Sequence, residues 1–198
     1  MNYKKSSTKI KMKILPRKFY VNDTKRVAKD LLGKELVRKV GKSVLSGIIT
    51  ETEAYKGKND PASHAARKKT ERNKIMFGEV GHAYVYFTYG MHYCFNVVAK
   101  KENDESGAVL IRAIHPQQGI KRMIKNRKTD IIPNLTNGPG KLTQAMEITL
   151  KQYNLDLTRN TSLFIVDSKK PRKIIVKPRI GIKEGTDKLW NFSCDSYF

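Results

Sequence analysis

Glu51 and Glu53 stand two residues apart in a stretch, Ser43 to Tyr55, that reads as a strand. Side chains two apart on a strand leave the same face, with Tyr55 next along it. A carboxylate carried into a core is costly unless it has a partner or a task. One such task is to deprotonate a water and stabilise positive charge forming beside it. Spacing alone leaves a second reading open, a solvated face at a sheet edge.

His64 lies in a polar loop with Asp60 and Ser63. No second His stands at ligand spacing, and nothing fixes a third member of a triad, so the pattern also fits an incidental loop histidine. The segment from Tyr84 to Tyr93 is rich in aromatics, with Tyr84 and Tyr86 on one face. Phe87 and Phe95 fit ordinary core packing. Tyr89 falls at a turn, where an aromatic with no core to join suits a wedge or a stacking group. Gly140-Lys141 looks like the end of a phosphate-binding P-loop. Leu142 stands where Ser or Thr is required and Leu135 where the first Gly is required, which excludes a nucleoside-triphosphate site. Gly138-Pro139-Gly140 still offers free N–H groups, as an anion seat or simply as a tight turn into a helix.

The elements that must hold these residues follow from periodicity. Asp23 predicts a helix cap for a segment that turns Val27, Leu31 and Leu32 inward and stops at Gly33. Strands are predicted over 34–40, 43–55, 82–88, 91–100, 107–114, 161–167 and 173–180. Gly41-Lys42 and Tyr89-Gly90 are predicted turns, and Pro116 is expected to end the fifth strand. Helices are predicted from Thr70 to Phe77, Gln117 to Arg127 and Lys141 to Leu150. The segment Lys56 to Lys69 is too polar for a core and too long for a tight turn, which marks it as functional. Neighbouring strands pair as hairpins. The expected class is α+β, with a curved, open-barrel-like antiparallel sheet, flanking helices and a protruding β-hairpin.

Composition restricts the partner. The 198 residues hold 40 Lys and Arg against 18 Asp and Glu, a formal charge of +22. Such a charge opposes compaction and calls for a polyanion, whether DNA, RNA or an anionic membrane surface. Cys94 and Cys194 are the two cysteines, with no ligand spacing around them, so neither a zinc site nor a disulfide framework is expected. No apolar run reaches the length of a membrane span. The first 13 residues hold five Lys with no apolar segment behind them, which predicts a flexible basic tail over 1–13 and not a signal peptide. The expected setting is soluble and intracellular.

Taken in order, these segments resemble the alkyladenine, or 3-methyladenine, DNA glycosylase family. The resemblance rests on Glu51-Thr-Glu-Ala-Tyr55, on Asp60-Pro-Ala-Ser-His-Ala65 and on Thr70-Glu-Arg-Asn73 with Met76-Phe-Gly78. It continues through the hairpin Ala83 to Asn96, then Val109-Leu-Ile-Arg-Ala-Ile114, Asn137 to Ala145 and Pro178-Arg-Ile-Gly-Ile182. It spans about Leu15 to Phe198. Residues 124–134, the tail beyond Gly185, and His115 before Pro116, where relatives usually carry an acidic residue, depart from the pattern.

The resemblance implies one glycosylase domain over 14–198, acting as a monomer on duplex DNA with damaged purines. It implies Glu53 as the base that activates water and Arg112 as the residue that helps hold both. It implies Tyr55, His64 and Tyr86 as walls around a flipped base, Asn96 as a pocket floor that rejects a 2-amino group, and Tyr89 as the intercalating wedge. No metal or cofactor is implied. A non-catalytic nucleic-acid-binding protein, and an enzyme on RNA or free nucleosides, are the rival readings. The first accounts for the charge and the aromatic hairpin but gives no reason for Glu53 with Arg112, and free nucleosides require neither a wedge at Tyr89 nor a charge of +22.

Overall fold

A computed structural model describes residues 13–194. The basic tail expected over 1–13 lies, apart from Lys13, outside the described residues.

Among the described residues, eight strands form one antiparallel sheet: β1 (Glu35–Val40), β2 (Ser43–Lys56), β3 (Ala83–Thr88), β4 (His92–Val98), β5 (Gly107–Gln118), β6 (Leu163–Val166), β7 (Ile174–Lys177) and β8 (Asn191–Cys194). The order is β3-β4-β5-β2-β1-β6, and β8 pairs with both β2 and β7. β2 is the spine. One edge pairs with β5 over most of its length, while the other pairs with β1 at residues 43–48 and with β8 at residues 51–53. The β2–β5 ladder shifts register at Ser46/Gly47 and on both sides of Glu51. Extra residues of this kind bend a strand and raise its twist, which curls the sheet into a half-barrel.

The α-helices among the described residues, α1 (Thr24–Leu31), α2 (Ile120–Arg127) and α3 (Pro139–Ala145), pack around it. Asp23 caps α1 as predicted, accepting from the Lys25 N–H at 3.0 Å, and Val27, Ala28 and Leu31 turn inward. The Thr52 hydroxyl donates to the Ala28 carbonyl at 2.8 Å, which fixes α1 to one face of β2. The opposite face of β2 therefore carries Glu51, Glu53 and Tyr55. Tyr20, Leu31, Leu36, Ile49, Phe95, Ile111 and Phe192 belong to the main core. A smaller apolar cluster, including Ala65, Met76, Tyr84 and Ala108, lies where the Lys56–Lys69 loop returns to the sheet.

The predicted class stands, and β1–β2, β3–β4 and β4–β5 pair as neighbours, but β6 and β7 do not form a hairpin, since β6 pairs with β1 and β7 with β8; further corrections are local. β5 runs through Pro116 to Gln118, because Pro116 faces Gly47 at a register shift, where the ladder is already interrupted. Gln117 and Gln118 thus stay in the strand, and α2 starts at Ile120. α3 ends at Ala145, not near Leu150. The Asn126 side chain takes the Ala145 carbonyl at 2.9 Å, and Glu147 adopts a left-handed φ of 52° while pairing with Arg122. The predicted Thr70 helix shrinks to a 3-10 turn at Lys74–Phe77. The sequence reading placed no strand at β8.

Candidate active site

A hollow of about 480 Å³ opens between β3, β4 and β5, the end of β2, the Lys56–Lys69 loop and the segment after β7. Tyr55, His64, Tyr86, Tyr89, Asn96 and Arg112 all line it. Glu53 does not reach its surface and is 0% exposed. It lies directly behind Tyr55, Arg112 and Ile180, which do line the hollow. All seven residues nominated from sequence thus converge on one place.

The loop that carries His64 is held by a buried ion pair. Asp60 and Arg179 are both inaccessible to solvent, and two bonds of 2.6 and 2.7 Å join the carboxylate to the guanidinium. Asp60 also accepts from the Lys56 N–H at 3.0 Å, and Arg179 also donates to the Ala54 carbonyl at 3.0 Å. The same guanidinium lies 4.7 Å from the Tyr55 ring centroid and 5.0 Å from that of Trp190. Arg179 thus ties the loop, the last turn of β2 and the post-β7 segment together behind Tyr55. Further along, Asn73 donates to the carbonyls of His64 at 2.6 Å and Lys68 at 2.9 Å, closing the loop's second half.

Glu53 is flanked by strands on both sides, opposite Leu110 of β5 and Asn191 of β8. β8 covers what would have been a free edge, so the solvated-edge reading of the two carboxylates fails. The Oε1 atom of Glu53 accepts from the Ile180 N–H at 2.8 Å and the Asn191 amide at 3.0 Å, with Arg112 Nη1 at 3.5 Å. Its Oε2 accepts from the Tyr55 hydroxyl at 2.8 Å. Glu51 Oε1 accepts from Arg112 Nε at 3.0 Å and from the same Asn191 amide at 2.7 Å. A carboxylate so supplied with donors is affordable in a core.

The far wall is aromatic. His64 meets Tyr86 edge-on at 4.7 Å between centroids, and its Nδ1 lies 2.8 Å from the Tyr84 hydroxyl. Arg72 lies over Tyr86 at 4.7 Å. His64 keeps an exposed side towards the hollow. Even so, its neighbours withdraw enough of the ring from water, helped by the Arg72 charge, to lower its pKa from 6.5 to about 4. The imidazole is therefore neutral at pH 7 and has one nitrogen to donate and one to accept. Burial pushes the hydroxyls of Tyr55, Tyr84 and Tyr86 well above the ordinary phenol range, so they remain donors. Burial also raises the Cys94 thiol, which lines the hollow beside Tyr86 and stays protonated. Asn96 is 3% exposed and donates to the Tyr84 carbonyl at 3.1 Å, which locks its orientation.

At the mouth, Tyr89 is 81% exposed at the tip of the β3–β4 hairpin. Tyr89 and Gly90 have φ of 51° and 66°, and the Met91 N–H donates to the Thr88 carbonyl at 3.2 Å, the tight hairpin turn that asks for left-handed residues. Gly90 suits that backbone, whereas Tyr89 adopts it at a cost. Phe87 is 45% exposed on the same hairpin, so core packing describes Phe95 and not Phe87. Pro139 at the start of α3 also borders the hollow, and a side-chain carbon on Gly140 would come within 2.9 Å of the His92 ring. Close approach of hairpin and helix therefore accounts for the Gly140 position.

Arg179, Asn191, Glu51 as a partner of Arg112, and Arg72 received no role from sequence reading. Asp60 and Pro178-Arg179-Ile180 were visible as motif residues, but no spacing rule joins positions 119 residues apart. Among the described residues, no group of three or more His, Cys, Asp or Glu could hold a metal ion. None of the described helices is long and apolar enough to cross a membrane.

The chain is similar to known proteins over nearly its whole length. A model of the methylpurine-DNA glycosylase family matches residues 18–197. A protein of Prosthecochloris aestuarii is 50% identical over 177 residues, covering 88% of this chain and 84% of its own. One from Carboxydothermus hydrogenoformans is 49% identical over 181 residues, covering 90% and 94%. One from Methanocella arvoryzae is 44% identical over 185 residues, covering 91% and 92%. Each of the three is provisionally named a 3-methyladenine DNA glycosylase.

Proposed function

The chain belongs to the methylpurine-DNA glycosylase family, and from that premise we propose that it draws a damaged purine nucleotide out of duplex DNA and hydrolyses the bond between base and sugar with a water activated by Glu53. The bases proposed are 3-methyladenine, hypoxanthine and ethenoadenine. The protein acts as a monomer on double-stranded DNA.

The observation that carries this reading is the bonding of Glu53. Each carboxylate oxygen has two lone pairs. Oε1 already accepts two hydrogen bonds, and Oε2 accepts one, from Tyr55. The remaining lone pair of Oε2 is the one available to take a proton from water. Tyr55, which bonds that oxygen, lines the hollow, as does Arg112 beside Oε1, so the carboxylate lies one side chain behind the hollow's wall.

The rest of the hollow suits a planar base. A nucleotide must leave the stack before its glycosidic bond can be reached, at a cost of a few kcal/mol that is least for damaged or mispaired bases. Tyr89, at the exposed tip, fills the space left behind and offsets part of that cost. Tyr55, Tyr86 and His64 enclose the ring, and neutral His64 hydrogen-bonds its edge. Asn96 at the floor excludes a 2-amino substituent. Exposed Lys and Arg neutralise phosphates and hold the duplex.

In the chemical step the bond between C1′ and the base nitrogen breaks, and its electron pair leaves with the base. Positive charge builds on the sugar, where the Glu53 carboxylate stabilises it. Water oxygen bonds to C1′ and its proton passes to Glu53. An alkylated base that carries positive charge departs neutral, whereas hypoxanthine or ethenoadenine must gain a proton on leaving and depends more on the pocket. Base release from lesion-bearing duplexes by the wild type, set against Glu53→Gln, is the test of this reading.

A further inference from the structure

Glu51 and Glu53 present two carboxylates on one face of one strand, and neither has a cation of its own. Arg112 and the Asn191 amide each span both: Arg112 reaches Glu51 at 3.0 Å and Glu53 at 3.5 Å, and Asn191 Nδ2 reaches Glu51 at 2.7 Å and Glu53 at 3.0 Å. Asn191 is 1% exposed, and its Oδ1 has no hydrogen-bond partner among the described residues. An amide that leaves its own acceptor unbonded to aim its donors at two carboxylates is placed for those carboxylates, because an unmet buried acceptor is otherwise a net loss. Glu51 also sits between two of the register shifts in the β2–β5 ladder, where the strand is already distorted.

Building on the glycosylase reading, we propose that Glu51 and Asn191 are positioning residues for Glu53. They hold Arg112 and the Oε1 side of that carboxylate in place, so that the free lone pair of Oε2 faces the water. Neither touches the base. Glu51 acts through Arg112 and Asn191. The charged or titratable groups around Glu53 among the described residues include Glu51 and Tyr55 from β2, Cys94 from β4, Arg112 from β5, and Arg179, stacked on Tyr55, from the segment after β7.

The test is the single-turnover rate of hypoxanthine release from duplex DNA as a function of pH, for the wild type, Glu51→Gln and Asn191→Asp, with lesion-DNA affinity and melting temperature measured beside it. A wild type that releases no base overturns the glycosylase reading, and this one with it, before any variant is compared. With an active wild type, Glu51→Gln removes a like charge and moves the acid limb of the profile to lower pH. Asn191→Asp, nearly identical in shape, adds a third carboxylate and moves it to higher pH. Both variants release base about tenfold more slowly at their optimum, with lesion affinity kept, as expected for loss of a hydrogen bond to a charged group. Acid limbs unmoved in both variants overturn the proposal whatever the rates, because packing defects alone leave the pH profile where it was.

Discussion

The Tyr55 hydroxyl donates to Oε2 of Glu53 over 2.8 Å, although the two residues stand only two apart on one strand. A strand directs both side chains to one face, and the curl of β2 brings their tips together. Tyr55 thereby joins the wall of the hollow to the carboxylate behind it. Tyr55→Phe keeps the ring and removes that donor. We expect lesion binding within about threefold of wild type and single-turnover release slower by roughly tenfold, the scale of one hydrogen bond to a charged group. Equal losses in binding and release would show that the hydroxyl serves the base and not Glu53.

The side chains of the Asp60–Arg179 pair are wholly buried, and apart from one backbone hydrogen bond each, Lys56 N–H to Asp60 and Arg179 to the Ala54 carbonyl, their charges are met by each other. Removing one partner strands the other charge, which costs about 3–5 kcal/mol. Asp60→Ala should lower unfolding free energy in urea by that amount. Asp60→Ala combined with Arg179→Met should recover most of it, because no buried charge remains. The double variant should still bind lesions poorly, since nothing then stacks behind Tyr55.

How much of this was legible in the sequence depends on distance along the chain. The Asp23 cap, the alternation of β2 and the Tyr89-Gly90 turn are local signals, and each element formed where its pattern stood. Glu53, Tyr55, His64, Tyr86, Tyr89, Asn96 and Arg112 were named from motif resemblance, and the fold gathers them at one hollow. β8 was missed because Asn191–Cys194 is four residues long and is held in place by β2 and β7 and not by its own alternation. Arg179 and Asn191 were missed for the same reason: what they do is visible only once the segment after β7 has folded back over β2. Helix ends were misread where a distant side chain decides them, as Asn126 does for α3.

His64 gives a pH prediction with a definite sign. Its folded pKa is about 4, against 6.5 unexposed to the fold, so the unfolded chain binds the proton first on acidification. The stability associated with neutral His64 is whole above about pH 6.5 and is lost as pH falls towards 4. The wild type should therefore lose stability relative to His64→Gln across that window. In an NMR titration the His64 ring should have a midpoint near 4, rising towards 6.5, though not reaching it, in Arg72→Ala. A midpoint near 6.5 in the wild type would contradict the packing described around the ring.

Tyr89 is exposed and holds a backbone conformation that Asn adopts more readily. Tyr89→Asn should leave the melting temperature unchanged or raise it slightly. Affinity for a lesion-bearing duplex should fall by about 5- to 100-fold, the range of one aromatic stacking on a base. Undiminished affinity would remove Tyr89 from the interface.

Lys183 is the one lysine on the lining of the hollow among the described residues. If water attacks C1′ directly, borohydride added during turnover should trap no protein–DNA adduct, and Lys183→Ala should release base at close to the wild-type rate. A trapped adduct that disappears in Lys183→Ala would replace water with an amine as the nucleophile.

The most direct test follows base release from duplexes bearing a single hypoxanthine or ethenoadenine, and from methylated DNA, with the protein in excess. Alkali-labile sites are scored for the wild type and for Glu53→Gln. The account predicts base release by the wild type, together with loss of release from the hypoxanthine and ethenoadenine duplexes in Glu53→Gln with lesion binding retained. Release undiminished in Glu53→Gln, or tight binding by a wild type that releases nothing, would contradict it.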